Sequence, residues 1–168
     1  VLWTADEAPN WSAVTNTASV LLTPSPPTGS LTARSQSTLT GGWDFSVGSS
    51  SYTFVVSTEA TNPPVEVVGS STTVALSATV SSLTPNTTYF GFTQSCNDAG
   101  CSSYTAFSST VTWANPPVTL STTSVDSTSV SLAWGANNNP AGTTFEIEHA
   151  TGSGGPFALT VSTTGVTA

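Results

Sequence analysis

The chain has 168 residues, with a single arginine, no lysine, one histidine and a formal charge of −8. Charged residues make up 6% of it, against about a quarter in ordinary domains. So little basic charge excludes a polyanion-binding role, and the absence of any run of 18 apolar residues leaves no helix to span a membrane.

Residues 1–27, "VLWTADEAPNWSAVTNTASVLLTPSPP", align without a gap on residues 91–117, "GFTQSCNDAGCSSYTAFSSTVTWANPP". Both read as a strand, a polar turn, a Ser/Thr-rich strand and a double proline, an internal repeat. Residues 1–27 are therefore expected to be the last two strands of a preceding unit. Pro26-Pro27 and Pro116-Pro117 mark junctions, since proline lacks an amide donor, ends a strand and stiffens the chain.

Between the junctions, residues 28–117 read as one complete unit. Alternation of apolar and polar residues predicts strands at 29–35, 38–46, 51–57, 65–69, 73–80, 88–96 and 102–113. The breakers "GSS", "TNPP", "GSS", "TPN" and "NDAG" separate them, and no stretch has helical periodicity. Seven short strands in a unit of this size predict an all-β, two-sheet sandwich. Leu39, Trp43, Tyr52, Phe54, Val56, Leu76, Leu83, Tyr89 and Val111 are the expected core.

The heptad "LTPNTTY", residues 83–89, lies where the chain must cross between sheets. Leu83 is expected to plug the core, Pro85 and Asn86 to turn, and Tyr89 to bury its ring while its hydroxyl bonds back to backbone, a tyrosine corner. In "CNDAGC", Cys96 and Cys101 are either buried free thiols or, the reading we favour, a disulfide across the base of a tight hairpin. Two thiols without a third ligand leave zinc short of donors.

Beyond the second junction the unit begins again. "STSVSLAWG" (127–135) repeats "STLTGGWDF" (37–45), and "TTFEIEHAT" (143–151) repeats "SYTFVVSTE" (51–59), with a period of about 90 residues. Residues 118–168 are expected to be the first four or so strands of a following unit.

The heptad ending on Tyr89, the tryptophans Trp43 and Trp134 and the double-proline junctions together resemble the fibronectin type III family over the full length of the chain, and the resemblance makes Trp43 and Trp134 the core tryptophans of their units. "TFEIEHA" looks like the third strand of that family. The resemblance implies tandem immunoglobulin-like sandwiches, one complete and two partial. The cysteine hairpin is not a general family feature, and the turn "NDAG" carries no Arg-Gly-Asp, so integrin binding is not implied.

The residues offer no catalytic constellation and call for no cofactor or metal. A Ser-His-Asp triad would have to use His149, which lies at the end of a strand in "FEIEHA". Glu146 and Glu148, two apart on one strand, point the same way, unlike the opposed carboxylates of a glycosidase. Asp6-Glu7 and Asp98 lie in turns with too few ligands for calcium. "TGSGG" (151–155) follows a strand and opens no helix, so it is a hairpin turn rather than a phosphate cradle. Trp11 and Trp113 are candidates for an exposed sugar- or partner-binding role. Asn10 and Asn86 head the sequons "NWS" and "NTT" and are candidate N-glycosylation sites; Asn86 is expected in an exposed turn, where modification is sterically open.

Serine and threonine, about a third of the residues, replace charge as the means of solubility and offer acceptors for O-linked sugars. With the cysteine hairpin this suits an extracellular or cell-surface setting. No secretion signal is visible, so one is expected to have been removed or to lie outside this stretch. The function expected is structural: part of a filament, stalk or adhesin of tandem modules. Its partners would be neighbouring copies or modules and attached glycans. The alternative is a spacer in a secreted carbohydrate-active enzyme. Neighbouring modules are expected to be covalently joined, because a composite of residues 118–168 and 1–27 would lack the counterpart of "LTPNTTY".

Overall fold

The computed structural model describes residues 20–164. The expectations for the strands of residues 1–19, and for Asp6-Glu7, Asn10 and Trp11, lie outside the described residues.

In chain order the first strands are β1 (Gly29–Arg34), β2 (Leu39–Trp43), β3 (Ser51–Ser57), β4 (Val67–Thr73), β5 (Ser77–Val80) and β6 (Thr88–Asn97). Three short strands follow: β7 (Gly100–Cys101), β8 (Thr105–Ala106) and β9 (Thr110–Val111). One sheet has the order β1-β2-β5. The other runs β4-β3-β6, with β7, β8 and β9 each pairing with β6. All the pairings are antiparallel.

The two sheets share one core. Leu39, Trp43 and Val80 from the first meet Tyr52, Phe54, Val56 and Tyr89 from the second, and Leu83 and Phe107 complete the cluster. Trp43 lies 5.7 Å from Tyr52 and 5.9 Å from Phe54, ring centre to ring centre. Gly41 explains the "GGW" of β2: a Cβ there would stand 2.6 Å from the Phe54 ring. Val55 and Phe92 are also buried, although their parity puts them on the opposite face of the β3–β6 pair from Phe54.

Four details depart from the sequence expectations. β2 stops at Trp43, so Phe45 lies beyond the sheet and is exposed. The fourth strand runs on to Thr73, later than expected, and the fifth starts only at Ser77. Leu76 therefore sits in the bend between them, 44% exposed, and contributes its carbonyl to the Trp43 amide instead of its side chain to the core. The seventh strand is not continuous but three short pairings. The gaps between them break the alternation, so Phe107 and Thr112 point inward and Val111 outward.

Residues 118–164 contain β10 (Val118–Val125) paired with β11 (Val130–Gly135), and β12 (Thr144–His149) paired with β13 (Ala158–Thr164). Trp134 packs on Phe145 at 5.8 Å, as Trp43 packs on Phe54. In each pair the phenylalanine follows the tryptophan by eleven positions, so the sequence repeat is also a repeat of contacts.

Candidate functional site

Among the described residues the titratable side chains do not converge. Glu146, Glu148 and His149 are exposed along β12, and Asp98 is exposed at the tip of the β6–β7 turn. "TGSGG" is the connection between β12 and β13. No cluster of three or more His, Cys, Asp or Glu able to hold a metal occurs among the described residues. Trp113 is 53% exposed, while its backbone is held between the amide of Asn86 and the carbonyl of Ser35.

The sheet crossing is tied from two sides. The Tyr89 hydroxyl accepts the Thr84 amide at 3.0 Å, the geometry of a tyrosine corner. The buried Thr112 hydroxyl donates to the Thr84 carbonyl at 2.7 Å and accepts the Thr87 amide at 3.1 Å. Asn86 holds a left-handed backbone here, φ 47°, a conformation asparagine tolerates better than most residues. Its side-chain amide is part-buried and donates to the Thr143 hydroxyl at 2.9 Å.

Cys96 and Cys101 face each other across β6 and β7 and are disulfide-bonded, with Cα atoms 4.0 Å apart. The next residue, Asn97, donates its side-chain amide to the carbonyls of Leu22 and Gly48. The hairpin thus meets the chain arriving at the sandwich.

Among the described residues, polar side chains converge also at the two Pro-Pro junctions. At the first, the Ser25 carbonyl accepts the hydroxyls of Ser46 at 2.6 Å and Ser95 at 2.7 Å. Both serines are buried. The Tyr52 hydroxyl accepts the Ser46 amide and the Ser49 hydroxyl, which fixes the loop carrying Ser46.

At the second junction, Asn139 holds Asn115 by both backbone groups. Its side-chain oxygen accepts the Asn115 amide at 2.8 Å and its nitrogen donates to the Asn115 carbonyl at 2.8 Å. Asn115 donates to the Asn137 carbonyl, and Asn137 to the Pro116 carbonyl. Asn137 and Asn138 have φ of 53° and 63°, which turns the loop so that Asn139 faces back toward the junction. Sequence reasoning missed Asn97, Asn115, Asn137, Asn139 and Thr143. The available signal was the asparagine run 137–139 directly after the tryptophan strand.

No protein-family model and no curated protein matches the sequence. Solved structures do resemble it. A segment of two fibronectin type III domains from chicken tenascin has a TM-score of 0.54 at 15% identity, over 84% of this chain and 77% of its own. A structure named FN3tt has a TM-score of 0.45 at 23% identity, over 55% of this chain and 97% of its own. A chitinase, ChiA74 from Bacillus thuringiensis, has a TM-score of 0.41 at 24% identity, over 58% of this chain and 15% of its own. With the two antiparallel sheets of residues 29–111, its tyrosine corner and its likeness to the tenascin segment, the chain has a fibronectin type III-like β-sandwich fold.

Proposed function

We propose that this chain is a non-enzymatic, structural part of an extracellular filament, stalk or adhesin built from tandem fibronectin type III-like modules. Residues 28–117 are the complete module, residues 1–27 the last two strands of the one before, and residues 118–168 the first strands of the next. The observation that carries this reading is the engagement of both Pro-Pro junctions. The carbonyl just before each double proline is held by side chains of the sandwich that follows it. A chain that only tethers has no need of such contacts, whereas an array that keeps its shape does. The disulfide and the Ser/Thr-rich, lysine-free surface support an oxidising, extracellular setting, with O-linked glycans as a second means of solubility.

Immunogold electron microscopy of native material with an antibody to this chain tests the proposal. Labelled filaments or stalks are expected. Label that instead follows a soluble carbohydrate-degrading activity establishes the spacer alternative. Denaturing electrophoresis of the same fibres is expected to show bands well above the 17.0 kDa of this chain. A single band at that mass would overturn covalent continuity of the modules. Mass spectrometry of an entirely unmodified polypeptide would remove the glycans.

A further inference from the structure

We infer that the junction at residues 115–117 is a fixed joint, locked by the loop that follows the tryptophan strand of the next sandwich, with Asn139 as its principal bolt. The inference rests on reading residues 28–117 and 118–164 as consecutive sandwich units, and it adds to that reading how one is set on the other.

The linker itself has little freedom. Pro116 and Pro117 have φ held near −65° by their rings, and a residue before proline is confined to extended backbone. The carbonyl of such a residue also faces a supply problem. The next two residues have no N–H and cannot continue a ladder, so the junction backbone must find partners elsewhere. The Asn139 side chain supplies them. A carboxamide carries the same donor and acceptor as a peptide unit, so Asn139 bonds both the amide and the carbonyl of Asn115, as a neighbouring strand would. Asn139 is 8% exposed, so water competes poorly for these bonds.

A second anchor lies away from the linker. Asn86, in the sheet crossing of the first sandwich, donates to Thr143, which is itself 6% exposed and donates to the Pro140 carbonyl. The linker contact alone would leave a pivot. Two contacts, one to the linker and one to the body of the preceding sandwich, oppose rotation about it. The first junction follows the same scheme with other residues: the Ser25 carbonyl, just before Pro26-Pro27, is held by Ser46 in the loop after Trp43. Each loop is closed by a matching backbone bond of 3.2 Å, from Ser49 to Ser46 and from Asn139 to Ala136. The polar residue in this loop thus sets how one sandwich stands on the next.

Backbone amide relaxation and residual dipolar couplings of the 168-residue chain test the joint. For the native sequence, amides of residues 29–111 and 118–149 are expected to share one rotational correlation time and one alignment tensor. Asn139→Ala is expected to separate them. Asn139→Asp, which keeps the acceptor and loses the donor, is expected to fall between. If Asn139→Ala unfolds residues 118–164, Asn139→Asp combined with Thr143→Val removes the donor to the Asn115 carbonyl and the contact to the crossing loop and is expected to give the same separation. Two tensors in the native chain, or one tensor retained in the folded variants, overturns the inference. These readouts do not depend on assembly: native material without filaments would remove the array while leaving a single tensor, and so the joint, intact.

Discussion

The hydroxyl of Tyr89 accepts the backbone amide of Thr84 at 3.0 Å, so a side chain at the start of β6 closes the crossing that leads into it. The ring is buried, and the hydroxyl satisfies a donor that the turn leaves without a ladder partner. Tyr89→Phe keeps the ring and strips the acceptor. It is expected to destabilise the fold by about 1–2 kcal/mol, the range for a partly buried donor left unpaired. Urea unfolding should show a lower midpoint with an unchanged slope.

Trp43 and Leu76 make a paired test of the core. Trp43 is 6% exposed and touches both Tyr52 and Phe54. Trp43→Ala is expected to cost about 3–5 kcal/mol, as deletion of a core aromatic does. Leu76 offers only its carbonyl, so Leu76→Ala should stay within about 0.5 kcal/mol, as exposed positions usually do. Comparable losses for the two would contradict the strand register described above.

The disulfide closes a short loop, five residues from Cys96 to Cys101. The chain-entropy relation then gives about 2 kcal/mol of stabilisation. Replacing both cysteines by serine is expected to lower stability by about that amount without unfolding the sandwich, whose core lies elsewhere. Intact-mass analysis before and after reduction checks the bond itself.

Asn86 is expected to be unmodified in native material despite heading a sequon. The nitrogen that would carry a sugar is part-buried and donates to Thr143. A glycan there would need the space that Thr143 occupies. Glycopeptide mapping showing Asn86 occupied would mean that the Asn86–Thr143 contact is absent in the native protein.

Alternation by itself determined most of the sandwich. Leu39, Trp43, Tyr52, Phe54 and Val56 fall at even spacing on short strands, and a strand with one buried face has no other way to hide them. "LTPNTTY" was equally legible, because a tyrosine corner is local: donor, acceptor and turn lie within a few residues. The tertiary structure decided what depends on ends and on distant neighbours. Leu76 and Val111 have the right residue type but lie at a bend and on a broken strand, where parity no longer predicts a face. Phe92 and Val55 are buried on the opposite face of the sheet from Phe54, which no count along one strand reveals. Asn86 met the sequon pattern, yet its amide nitrogen is taken by Thr143, far along the chain. In sequence Asn115 and Asn139 are separated by the β10–β11 pair, and neither is apolar, periodic nor titratable. Their pairing requires two backbones at hydrogen-bonding distance and orientation, and only the folded chain sets those.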